Sequence, residues 1–273
     1  MAFGGTPDGF VTAAAHDLRA VQAIGDALAG TGKPFVNTSG TAQLALFGGF
    51  TRAGTEEDTV KGGPRVDGEN TTVALAQRGV RSSCVRLPPT VHSSLDHEGF
   101  IPLFIAAARR NGFSAYVGDG ANVRPAVHSL DAARLYRLAL ESEPAGSRLH
   151  GVADEGVPFR AIAEAIGRGL GLPTKSVAAE EAPKYLGSIA VFAQVHNPTS
   201  SARTRTLLKL GADASQAARG HRIRRAMAAS TSRSMSAGSA RQSTPPARVG
   251  TRCPPSKRST VSPFGAPPPL ESD

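Results

Sequence analysis

Three short segments of this 273-residue chain gather the side chains that could do chemistry. Asn37-Thr38-Ser39-Gly40 places two hydroxyls where the run Lys33 to Ser39 opens into a loop. A hydroxyl at the carboxyl end of a buried strand can bond a substrate carbonyl or hydroxyl, because open α/β sheets take their ligands at that edge. The same hydroxyl can equally satisfy nearby backbone groups. Arg86-Leu87-Pro88-Pro89-Thr90-Val91-His92 leaves a second strand-like run, Ser82 to Leu87. Its two prolines fix φ and remove two donors, so the exit from the strand is rigid. It reads as a stiff turn or as a pocket wall. Arg124 and His128 belong to a third segment, Gly118 to Leu140. Arginine suits carboxylate and phosphate through its bidentate fork. The plainer alternatives are a solvated loop arginine and a half-buried strand histidine. Asp131 suits the N-cap of the helix that follows better than a catalytic role. No metal site is expected.

Alternating strands and helices must position these groups. The spacing of Val21, Ile24 and Leu28 predicts a helix before Gly30 and Gly32. Lys33 to Ser39 and Ser82 to Leu87 predict buried strands, separated by a glycine-rich loop over 48–68 and a helix over 71–78. Phe100, Leu103, Phe104 and Ala107 predict the buried face of a helix over 100–110. Val127-His128 ends a short strand, and Ala132, Ala133, Leu135, Leu138 and Ala139 continue as a helix. Leu149 to Ala153 is a strand candidate. Pro158 is expected in the first turn of a helix, with Phe159, Ile162, Ala163 and Ile166 as its buried stripe. Ser200 to Leu210 predicts a last short helix. The alternation implies an α/β fold with a doubly wound, mainly parallel sheet.

Charge is unevenly spread. Residues 1–211 carry 21 Lys and Arg against 19 Asp and Glu, while residues 212–273 carry 10 against 3. The net charge of +9 therefore belongs almost wholly to the tail. That tail is rich in Ser, Ala, Arg and Pro and has one aromatic, Phe264. It cannot bury enough apolar surface to offset chain entropy, so disorder is expected from about 212 onward. Nucleic acid is not expected as a partner of the body of the chain, and through the tail it would be held by charge with little base stacking. Cys84 and Cys253 lie in unlike contexts, so a disulfide is not expected and a reducing compartment is. No apolar run reaches the roughly 18 residues of a membrane span, and the start, MAFGGTPDGF, lacks the pattern of a signal peptide. A cytoplasmic protein is expected.

The segment GDGANVRPAVHSLDAARLYRLAL, together with the Asn-Thr-Ser-Gly and Arg-x-Pro-Pro-x-Val-His stretches, resembles the extended and atypical short-chain dehydrogenase/reductases, the NAD(P)-dependent epimerase/dehydratase relatives. The resemblance covers about residues 1–211, one Rossmann-like domain with a small C-terminal substrate subdomain. It implies Ser39, with Thr38 beside it, as the catalytic hydroxyl. It implies Ala2, Phe3, Pro88, Pro89, Thr90 and Val91 near NAD or NADP, and His92, Arg124 and His128 in the pocket of a small-molecule substrate. A homodimer is compatible with it.

The chain departs from that pattern in three ways. The family's catalytic Tyr-x-x-x-Lys is missing, for no tyrosine among Tyr116, Tyr136 and Tyr185 has Lys four residues on. At its expected place Arg65 and Glu69 keep the spacing, but neither can act as a phenolate relay. The glycine-rich loop that cradles the cofactor pyrophosphate is also missing, as though the family's first units were cut away. After Ser200-Ser201 and Leu210-Gly211 the family's closing Trp is replaced by Ala212-Asp213. An NAD(P)-dependent oxidoreductase or epimerase with impaired cofactor binding is one expectation. A non-catalytic adaptor, its basic tail contacting acidic partners, is the other.

Overall fold

The computed structural model describes residues 7–50, 52–63 and 65–208. The expected cofactor contacts at Ala2 and Phe3, and the tail over 212–273, lie outside them. Helix α1 (Pro7–Leu28) leads into strand β1 (Pro34–Gly40) and a short helix α2 (Ala42–Phe47). Helix α3 (Val66–Ala74), continued by a 3-10 turn over Leu75–Arg78, precedes β2 (Arg81–Leu87) and β3 (Thr90–His92). Next come α4 (Phe100–Asn111), β4 (Ser114–Val117), β5 (Val123–His128) and α5 (Ser129–Ser142). Then β6 (Ser147–His150), β7 (Asp154–Pro158), α6 (Phe159–Leu170) and β8 (Thr174–Val177) follow. The described chain closes with the short helices α7 (Ala182–Leu186), α8 (Ala190–Gln194) and α9 (Ala202–Leu207).

The architecture is mixed α/β with parallel pairing dominant, as the alternation implies. Its strands fall into three groups rather than one. β1, β2 and β6 form a parallel sheet in that order. β3 and β5 pair in parallel, and β7 adds to β5 antiparallel. β4 and β8 make a parallel pair. Alternation along β1 and β2 gives the first sheet two unlike faces. Val36, Val85 and Leu149 meet Leu135, Tyr136 and Ala139 of α5. On the other face Asn37 bonds Thr72 of α3, and Arg86 bonds Glu69 of α3. Helix α1 packs on α3, where a Cβ at Gly25 would collide with Leu75. The larger core lies elsewhere, around Ile101, Phe104, Ala126, Phe159, Ile162 and Ile166.

Several expectations are corrected. Ile24 is 42% exposed, and the buried stripe of α1 runs through Ala14, Asp17, Val21 and Gly25. Leu103 is 44% exposed, and Ile101, Ile105 and Ala108 complete the buried face of α4. Helix α3 starts at Val66, inside the expected loop. Pro158 ends β7 and stands before α6 instead of within its first turn. β6 stops at His150, and Gly151 to Ala153 lead into the antiparallel β7. The N-cap of α5 is His128, whose Nδ1 accepts from the Leu130 N–H at 3.2 Å. Asp131 sits in the first turn instead, where its charge suits the positive end of the helix dipole. Among the described residues no helix is long and apolar enough to cross a membrane.

Candidate functional site

The parallel register puts Ser39, Arg86 and His150 on one rung across β1, β2 and β6. All three are buried, and they face α3. The Arg86 Nε donates to both Glu69 oxygens at 3.1 Å and its Nη2 to Oε1 at 2.5 Å. Nη2 also donates to the Asp58 carbonyl at 2.8 Å. Arg148 adds a second cation to Glu69 at 2.8 Å. Ser39 accepts from Gln43 Nε2 at 3.0 Å and hydrogen-bonds the Glu69 carboxylate. Burial pushes the Glu69 carboxyl upward, but Arg86, Ser39 and Arg148 outweigh it and hold it below its usual range. His150 closes the network. Its Nδ1 sits 2.7 Å from the Ser200 carbonyl, which requires a proton on Nδ1, so Nε2 accepts from Arg86 Nη1 at 3.2 Å. Burial lowers the pKa of His150 and keeps it neutral.

This network also ties down the loop after α2. The Asp58 carboxyl is held at about 2, chiefly by its hydrogen bond with Arg52. Glu56 accepts from the Thr204 N–H and hydroxyl at 2.8 and 2.7 Å, and so binds α9 to the loop. Arg65, the one non-glycine residue with positive φ among the described residues, starts α3 and donates to the Thr38 carbonyl at 2.7 Å. Arg65 and Glu69, at the spacing of the missing Tyr and Lys, thus hold β1 and β2 against α3.

Thr38 points the other way. Its hydroxyl lies 2.6 Å from that of Tyr136 on α5. Burial raises the Tyr136 pKa against the opposing effect of Thr38. Thr38 and Ser39 therefore sit on opposite faces of β1 and do not converge. Cys84 is buried, and burial raises its thiol pKa.

The second sheet carries the other candidates. Thr90 pairs with Ala126, and His92 with His128, at the carboxyl ends of parallel strands. Arg124 stands two residues before Ala126 on β5 and packs toward the same core, beside Phe104 and Phe159. Val91 and Val127 occupy the opposite face, packed with Ala132, Ala153 and Leu87. Thr90, His92 and Arg124 therefore share one face with His128. The two histidine rings meet edge to face, centroids 5.4 Å apart. Burial, aided by His128, lowers the His92 pKa to about 4, so its ring is neutral at pH 7. Burial also lowers Arg124 to about 10, which leaves it a cation. Thr90 Oγ1, His92 Nδ1 and Arg124 Nε and Nη2 are buried without a hydrogen-bond partner among the described residues. Such groups are expensive to leave unsatisfied.

Pro88 and Pro89 connect the two sheets. The Thr41 N–H bonds the Leu87 carbonyl at 3.0 Å, which fixes the strand ends side by side. A Cβ added at Gly40 would meet only that carbonyl, at 3.8 Å, so the edge is open to a flat group. Nothing comparable serves a pyrophosphate among the described residues. The prolines offer no N–H, and Gly118 and Gly120 form a turn that leads into β5 rather than into a helix. The described residues thus offer no cradle for the pyrophosphate of a dinucleotide. They also hold no group of three His, Cys, Asp or Glu side chains able to bind a metal.

Sequence reasoning does not find Glu69 and His150 as partners of Arg86, or Arg148 as a second cation on Glu69. Glu69 drew notice only for its spacing from Arg65. The i,i+4 spacing of Arg65 and Glu69 was the available signal for a helix face turned toward the sheet.

No protein-family model matches the chain. An uncharacterized protein of Schizosaccharomyces pombe is 48% identical over 194 residues, covering 70% of this chain and 64% of that protein. An uncharacterized protein of Saccharomyces cerevisiae is 34% identical over 192 residues, covering 69% and 63%. The chain thus spans just under two thirds of the length of these relatives. Among solved structures, MoeE5 in complex with UDP-glucuronic acid and NAD superposes with a TM-score of 0.59 at 18% identity, covering 81% of this chain and 71% of that one. UDP-glucuronic acid 4-epimerase from Bacillus cereus in complex with NAD gives 0.56 at 12%, covering 79% and 66%. The dTDP-glucose 4,6-dehydratase from Bacillus anthracis in complex with NAD gives 0.52 at 17%, covering 74% and 62%. What this chain shares with them is the fold, a mixed α/β Rossmann-like arrangement built on parallel strands.

Proposed function

We propose that this chain is an NAD(P)-dependent oxidoreductase or epimerase-like protein that acts on a hydroxyl or carbonyl carbon. One observation carries the reading. Thr90, His92 and Arg124 lie on one face of the β3–β5 pair and hold buried polar atoms with no partner among the described residues. Gln43, Arg81, Ser82, Ser83 and Glu143 hold such atoms too, but the β3–β5 face gathers four of them, from three residues, at the ends of parallel strands, where a ligand would complete the bonding. The neighbours in fold are crystallised with NAD, two of them named for sugar-nucleotide chemistry, which supports a nicotinamide cofactor and a small polar substrate. Thr90, Val91, Pro88 and Pro89 would flank the nicotinamide, and His92, Arg124 and His128 would contact the substrate. Ser39 is the hydroxyl proposed for catalysis and would need to exchange Gln43 or Glu69 for substrate, while Thr38, on the opposite face of β1 and bonded to Tyr136, is read as scaffold.

Cofactor affinity is expected to be weak, because these 273 residues contain no glycine-rich βα turn. Titrating the purified chain with NADH and NADPH in a calorimeter tests this. Dissociation constants in the millimolar range are expected, and micromolar binding would overturn the claim of impaired affinity. The rival reading, a non-catalytic adaptor, draws on Arg65 and Glu69, which are tied into the scaffold where the family's relay pair would stand. Reduction of either nicotinamide in the presence of a hydroxyl substrate would remove that rival.

A further inference from the structure

The chain contains its own reference for how it binds a carboxylate. Arg86 presents Nε and Nη2, the two parallel donors of the guanidinium side edge, to the Glu69 carboxylate. Arg124 presents the same pair of atoms, equally buried, with no partner among the described residues. Its remaining nitrogen, Nη1, is taken by the Phe192 carbonyl, which fixes the plane of the guanidinium. Around that plane stand Phe100, Phe104 and Phe159, ring centroids 5.3, 5.6 and 5.7 Å from its central carbon. Phe192 packs on Phe100 at 4.6 Å.

Charge limits what can bind here. Among the described residues Arg124 forms no ion pair within 4.0 Å, and its printed hydrogen bond goes to a neutral carbonyl. One cation matches one negative charge. A diphosphate brings at least two, and the second would be buried unmatched. Phe104 and Phe159 belong to the core beside the guanidinium and Phe100 is half-buried next to it, so the groups nearest an anion held there are apolar.

Resting on the proposed substrate site, we infer that the Nε–Nη2 edge of Arg124 takes a single planar carboxylate on a compound with an aromatic or apolar body, rather than the diphosphate of a sugar nucleotide. This departs from the UDP-glucuronic acid bound to one of the fold neighbours.

Calorimetric titration of the full chain with four probes tests it: 3-phenylpropanoate, its neutral amide, UDP and inorganic phosphate. The carboxylate is expected to bind at least 10-fold more tightly than the other three. Arg124→Lys keeps the charge but loses the fork, and is expected to weaken carboxylate binding at least 10-fold. The amide control on the unaltered chain keeps the test decisive even where the variant does not fold. UDP or phosphate binding more tightly than the carboxylate, in an Arg124-dependent way, would overturn the carboxylate assignment and leave the substrate site standing. Amide and carboxylate binding alike would overturn the role of the fork. No probe binding in an Arg124-dependent way would remove both the inference and the site.

Discussion

Arg86 on β2 and Arg124 on β5 are 1% and 2% exposed, so burial alone does not distinguish them. Their surroundings do. The β1–β2–β6 sheet surrounds Arg86 with a carboxylate, two backbone carbonyls and a neutral histidine. The β3–β5–β7 sheet surrounds Arg124 with phenyl rings and one carbonyl. A buried cation costs several kcal/mol unless it is paired and hydrogen-bonded. The first sheet meets that condition at Arg86, which is scaffold. The second leaves it unmet, as expected where an outside group is to complete the bonding. The two buried arginines are thus of two kinds, one with its fork paired and one without, although single unpartnered polar atoms also occur on the first sheet, at Arg81, Ser82 and Ser83.

The contrast can be broken most forcefully at Glu69. Glu69→Ala strands Arg86 in the core and is expected to cost about 3–5 kcal/mol in urea denaturation. A loss under about 1 kcal/mol would mean that water or movement relieves Arg86, and the scaffold reading would fail.

Acid sharpens the comparison from the other sheet. The folded pKa of His92 is lowered to about 4, against about 6.5 in an unfolded chain. Between those values the unfolded chain takes up a proton that the fold refuses. The stabilisation is complete above pH 6.5 and is lost as pH falls through 4, a change of about 3 kcal/mol by linkage. His150, also lowered by burial, acts with the same sign. Stability measured from pH 7 to 4 is expected to fall less steeply in His92→Phe than in the parent chain. Identical slopes would show that His92 titrates normally.

A smaller effect is expected at Tyr136→Phe, which removes the bond to Thr38. It should cost about 1 kcal/mol, with no change in ligand binding if Thr38 is scaffold on the α5 face. A loss of binding would return Thr38 to the site.

Local signals made part of this legible. The β-branched and aromatic run before Ser39 and the apolar spacing of Phe159, Ile162 and Ile166 identify β1 and α6 without tertiary information. β3, β4, β7 and β8 run only three to five residues and exist through distant partners. Their patterns are too short to stand out. Leu103 misled because a helix face can be read one position off when apolar residues cluster at its start. Asp131 misled because the ring nitrogen of His128 can cap as well as a carboxylate. At the site, Arg124, His92 and His128 were nameable from chemistry. That Arg86 is paired and Arg124 is not depends on which helix covers which face of which sheet, a fact that spacing does not encode.

Urea unfolding of Arg86→Met and Arg124→Met side by side tests the central claim most directly. Methionine keeps the apolar stem and removes the charge. The account predicts that Arg86→Met loses at least about 2 kcal/mol through its broken network, while Arg124→Met is unchanged or gains about 1 kcal/mol because an unmatched charge leaves the core. Equal destabilisation of the two variants would contradict it and make Arg124 a scaffold residue like Arg86.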